Sequence, residues 1–60
     1  MSKYILLVDD DALMRRSLAM ILEQAGYRTS TAANAEEALA SARRDRPDLV
    51  LLDIFVNWRT

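Results

Sequence analysis

The sequence predicts an α/β fold: a small parallel sheet with one helix on each face, in the chain order strand-helix-strand-helix-strand. Three observations carry this. Two short aliphatic runs, Tyr4–Val8 and the stretch from Asp48 to Trp58, have the length and β-branched content of buried strands, and carboxylates meet them at Asp9-Asp10-Asp11 and Asp53. Between them the apolar period lengthens twice from two to that of a helix. The connections are short, so successive strands run parallel with right-handed crossovers.

The first strand, β1, is Tyr4–Val8 and stops abruptly at the three aspartates. From Ala12 a helix, α1, gathers Met14, Leu18, Ile21, Leu22 and Ala25 on one face, with Arg15, Arg16, Ala19 and Glu23 opposite. Asp10 or Asp11 can cap its start, and Gly26 can close it as a left-handed residue. Tyr27–Ala32 gives a weaker strand, β2, whose mixed faces suit a sheet edge. Asn34 opens the second helix, α2, with Glu37 placed for a capping box and Ala35, Ala38, Leu39 and Ala42 as its narrow apolar stripe. Pro47 ends it. The last strand, β3, has Val50, Leu52, Ile54, Val56 and Trp58 on one face and Leu49, Leu51, Asp53, Phe55 and Asn57 on the other. It is expected to be buried on both faces and to continue past Asp53.

The economical sheet order is 2-1-3, with the helices on opposite faces. In such sheets a ligand binds beyond the carboxyl ends of the strands, where the strand order reverses, here between β1 and β3. The residues at those ends are Asp9, Asp10 and Asp53.

Composition narrows the chemistry. With 60 residues the chain is at most one small domain, expected to span 1–60 and to be short of core. It has no cysteine and no histidine, so thiolate and imidazole ligands and nucleophile pairs built on them are out; this suits a cytoplasmic location. A net charge of −1 gives no reason to expect nucleic acid, and the arginines at 15, 16, 43, 44 and 46 read as solvated helix faces. No stretch has the length of a membrane span. Three clustered carboxylates repel one another unless a cation sits among them, and an oxygen-only set favours Mg²⁺ over a caged Ca²⁺. The alternative stays open that Asp9-Asp10-Asp11 only caps α1 and that Asp53 is a solvated strand end.

Leu6-Leu7-Val8-Asp9-Asp10-Asp11 with Met14-Arg15-Arg16 resembles the opening of bacterial response-regulator receiver domains. Gly26-Tyr27 and Thr31-Ala32-Ala33-Asn34-Ala35-Glu36-Glu37-Ala38-Leu39 resemble their second strand and helix, and Pro47-Asp48-Leu49-Val50-Leu51-Leu52-Asp53 their third strand. The resemblance covers the chain through Ile54. It implies a flavodoxin-like half unit, whose strand order is the family's own. It further implies that Asp53 accepts a phosphoryl group from a sensor histidine kinase. Asp10 would bind Mg²⁺ directly, Asp9 mainly through water, and the main-chain carbonyl of Phe55 would complete the protein ligands. Such a module is not an enzyme in the ordinary sense, although it assists its own phosphorylation.

The chain departs from the family after the acceptor. Ile54-Phe55-Val56-Asn57-Trp58-Arg59-Thr60 stands where a Met-Pro and a Gly-containing loop are usual. The expectation is of a receiver truncated after β3, without the family's switch hydroxyl and catalytic lysine. Lys3, the only lysine, precedes β1. The unpartnered edge of β3 and the apolar tail, with Trp58 at the interface, then predict a homodimer ordered 2-1-3-3′-1′-2′. The alternative function is a non-catalytic truncated or engineered fragment serving as a self-associating structural module.

Overall fold

A computed structural model describes residues 3–52. Within them the order is β1 (Tyr4–Val8), α1 (Ala12–Gln24), β2 (Arg28–Ala32), α2 (Ala35–Asp45) and β3 (Leu49–Leu52). The three strands form one parallel sheet ordered β2-β1-β3. Ile5 stands beside Thr29 on one side and Leu49 on the other, and Val8 beside Ala32 and Leu52. The expected fold class and strand order are therefore those observed.

β1 is the core. Ile5, Leu6, Leu7 and Val8 are all buried, because a strand with neighbours on both edges and a helix over each face has no free side. Leu6, Val8 and Ala32 pack with Ala38 and Ala42 of α2. On the opposite face Ile5 and Leu7 line clefts shared with Leu18 and Leu22 of α1. Alternation along β1 thus assigns one helix to each face, as the pattern predicts.

The helix ends follow from named residues. Asp11, not Asp10, caps α1: its Oδ1 accepts from the N–H groups of Leu13 (3.0 Å) and Met14 (3.3 Å). At the other end Gly26 has φ 102°, its N–H donates to the Glu23 carbonyl, and the Tyr27 N–H donates to the Leu22 carbonyl, both at 3.0 Å. This is the paired closure of a Schellman motif, and it takes Tyr27 out of β2. Asn34 caps α2 by accepting from the Glu37 N–H at 2.9 Å. The Glu37 carboxylate reaches back one residue further than a capping box requires, to the Ala33 N–H at 3.0 Å. The helix ends at Arg46, left-handed at φ 47°, immediately before Pro47.

Three expectations about burial are corrected. β3 is not buried on both faces over Leu49–Leu52: all four residues are 38–52% exposed. Both helices pack over β1 and β2, so among the described residues β3 has a neighbour on only one edge. In α1 the stripe is narrower than its sequence suggests. Leu18 and Leu22 are half-buried while Ile21 is 62% exposed, because the sheet beneath the helix is only three strands wide. In α2 the inward line runs through Ala38, Ser41 and Ala42, and Leu39 turns outward at 57% exposure. The expected continuation of β3 past Asp53, and the place of Trp58, lie outside the described residues.

Candidate acidic site

The carboxyl end of β1 delivers Asp9 and Asp10 to the point where the strand order reverses. Asp9 is 5% exposed and held at three atoms. Its N–H donates to the Ala32 carbonyl at 3.1 Å, tying it to the end of β2. Its Oδ1 accepts from the Asp11 N–H at 2.9 Å, which turns the chain toward α1. Its main-chain oxygen accepts from Nη1 of Arg15 at 2.7 Å. Asp9 is thus a buried carboxylate fixed by hydrogen bonds and not a solvated loop residue.

Asp10 stands beside it, exposed. Asp11 is committed to the helix cap, so the capping alternative holds for Asp11, while Asp9 lines the crevice. Leu7, Val8, Asp9, Met14, Leu18, Leu51 and Leu52 line an open, largely apolar cleft of about 400 Å³ there. Among the described residues no three carboxylates converge as a metal cage. The proposed third member, Asp53, lies outside the described residues, as does Phe55. The oxygen donors of Asp9 and Asp10 fit a hard divalent cation that keeps several waters.

Arg15 is the residue the sequence reading missed, having been placed on the face away from the core. Side chains on a helix lean toward its amino terminus, so a long one in the first turns can fold back over the preceding loop. Its spacing of six from Asp9 is the available signal.

Comparison with known proteins agrees with this geometry. The family model described as the response regulator receiver domain matches residues 5–57. The alkaline phosphatase synthesis transcriptional regulatory protein PhoP of Bacillus subtilis is 43% identical over 56 residues, covering 93% of this chain and 23% of that protein. The probable transcriptional regulator ycf27 of Porphyra purpurea is 48% identical over 52 residues, covering 87% of this chain and 21% of its own length. Among solved structures, the chemotaxis response regulator CheY4 of Vibrio cholerae matches with a TM-score of 0.92 and 35% identity, over 100% of this chain and 50% of that one. The chain thus spans less than a quarter of these curated relatives and half of the chemotaxis regulator. Matched over most of its length, in sequence and in fold, the chain belongs to the family of response regulator receiver domains of two-component systems.

Proposed function

We propose that this chain is a phosphoacceptor module: it takes a phosphoryl group onto Asp53 from a sensor histidine kinase, with Mg²⁺ at the acidic site. The observation that carries the reading is the pairing of a buried, fixed Asp9 with an exposed Asp10 at the switch point of the sheet. Asp10 would hold the ion directly and Asp9 through water, with Asp53 and the Phe55 carbonyl completing the set. Bound there, Mg²⁺ supplies positive charge to the oxygens of the incoming group.

The chain's own residues do the rest. The hydrogen bonds from Asp11 and Arg15 keep Asp9 in place before any ion arrives. The half-buried wall of Leu18 and the buried Leu7 and Val8 limit water on one side of the cleft. In the transfer a P–N bond in the donor imidazole breaks and a P–O bond to the Asp53 carboxylate forms, the leaving nitrogen keeping the electron pair. The module is then a substrate that assists its own modification, not an enzyme that turns over. Its second partner is another copy of the chain, through β3. Among the described residues no helix is long and apolar enough to cross a membrane.

The test is incubation with a small acyl phosphate and Mg²⁺, followed by intact-mass measurement. One phosphoryl addition is expected, lost in Asp53→Asn and reduced in Asp10→Asn. A wild-type chain still unmodified after an exposure on the order of a hundred times longer than labels the chemotaxis regulator would refute the reading and leave the self-associating structural module.

A further inference from the structure

We propose that the acidic site and the first turn of α1 are coupled through Arg15, so that a divalent cation shared by Asp9 and Asp10 stiffens that turn. The inference deepens the cation reading given above and rests on it, but involves no phosphoryl transfer.

The junction of β1 and α1 is closed by a ring of hydrogen bonds. The Asp11 N–H donates to Oδ1 of Asp9 at 2.9 Å. The Arg15 N–H donates to the Asp11 carbonyl at 3.0 Å. Nη1 of Arg15 then returns to the Asp9 carbonyl at 2.7 Å. Only this last bond comes from a side-chain donor. β2 ends at Ala32, whose carbonyl takes the Asp9 N–H, so the ladder offers no further N–H to the Asp9 carbonyl. An oxygen left without a donor on so buried a residue costs stability, and the half-buried guanidinium takes the place.

Closure is what makes the ring a coupling element. In an open chain of bonds, fixing one end leaves the other free to move. In a ring, fixing Asp9 fixes Asp11 and Arg15 as well. Asp11 in turn holds two of the helix's unpaired N–H groups, those of Leu13 and Met14, on its Oδ1. Both bonds are exposed and lie in a terminal turn, the part of a helix that opens most readily.

Asp9, tied further by an ion shared with Asp10, releases the ring less often, and the turn frays less. By linkage the effect is reciprocal: the factor by which the ion orders the turn is the factor by which an ordered turn raises affinity for the ion. The far end of α1 stands outside the ring, closed by its own bonds at Gly26 and Tyr27. Leu13 is 74% exposed, so the filled and empty states of the site differ in how firmly the surface of this turn is held.

The experiment is amide hydrogen exchange of the 60-residue chain, resolved by residue, with and without saturating Mg²⁺ at matched ionic strength. Mg²⁺ binding is followed in parallel by calorimetry. In the wild type, exchange at Asp11, Leu13 and Met14 should slow by about fivefold or more, and at Gly26 and Tyr27 it should not change. Arg15→Met should lose most of the slowing, whereas Arg16→Met, at the exposed neighbour, should keep it. Should Arg15→Met fail to fold, Arg15→Ala makes the same test with the best helix former. Mg²⁺ that binds without slowing the first turn, or that slows both ends of α1 alike, overturns the coupling and leaves the cation reading in place. Slowing that survives the loss of Arg15 overturns the part given to that residue. A chain that binds no Mg²⁺ overturns the coupling and the cation reading together.

Discussion

Tyr4 and Asp48 exchange two hydrogen bonds across the amino ends of β1 and β3. The Tyr4 N–H donates to Oδ2 of Asp48, and the Asp48 N–H donates to the Tyr4 carbonyl, both at 2.8 Å. This clasp sets Ile5 beside Leu49, and with it the register that brings Val8 level with Leu52. A slip of one residue would turn every side chain of β3 to the wrong face and misalign the ends that carry the acidic site.

Asp48→Ala removes the side-chain half of the clasp. The bond is exposed, so the expected loss is about 1 kcal/mol, which in a domain this small lowers the melting midpoint by roughly 4–8 °C. Asp48→Asn retains an acceptor and should lose less. Thermal unfolding followed by circular dichroism measures both, and equal losses would show that the side-chain bond does not matter.

Gly26 is the second test of local structure. Its φ is 102°, and a Cβ built there meets nothing within 4 Å, so any penalty is conformational and not steric. Gly26→Ala should cost about 1 kcal/mol and Gly26→Asn less, since Asn tolerates the left-handed region. Urea unfolding orders the three variants, and the order Gly, Asn, Ala is the expected one.

Arg15 should behave as a positioning residue for Asp9. Arg15→Met deletes the 2.7 Å bond to the Asp9 carbonyl while keeping the helix propensity. Mg²⁺ affinity by calorimetry should fall a few-fold, with Arg15→Lys in between. Unchanged affinity in Arg15→Met would leave that bond a purely structural contact.

Phosphoryl transfer to Asp53 by the isolated chain should be slow. The resemblance implies that a lysine normally meets the incoming oxygens, and Lys3, the only lysine, lies at the far end of β1. Loss of such a stabilising charge lowers rates on the order of a hundredfold. Side-by-side labelling with the chemotaxis regulator measures this, and a rate that rises with chain concentration would show a second copy supplying the charge.

The sequence made some of this legible and some not. Strand periodicity placed β1 to the residue, because a central strand must be apolar on both faces and Tyr4–Val8 nearly is. The same logic misled for β3, whose composition is that of a covered strand while its described neighbours cover only one edge. Tyr27 reads as strand by propensity, yet its N–H is taken by the Leu22 carbonyl in the helix closure, a local capping choice that period-two alternation does not encode. In α2 hydrophobicity pointed to Leu39, whereas helix geometry gave the inward place to Ser41, small enough to sit against the sheet. At the acidic site the sequence supplied the carboxylates but not their division of labour. Only the geometry separates Asp11 the cap from Asp9 the buried, anchored carboxylate, and shows the reach of Arg15.

The central position of β1 also governs how the chain is made. Of the described strands, the first in the sequence is the one that ends up most enclosed, and both of its neighbours come later: Arg28 pairs with Tyr4 across 24 residues, and Leu49 pairs with Ile5 across 44. At ribosomal speeds of roughly 5–20 residues per second, Ile5–Val8 waits some seconds for β3 to exist. During that interval β2 and α2 can shield Leu6 and Val8, but the β3 side of the strand stays an open aliphatic edge. A nascent chain that stalls before Leu49 therefore holds its most adhesive segment ready for whatever is nearby, and chaperone demand should rise steeply for chains ending before that residue and fall for those that include it.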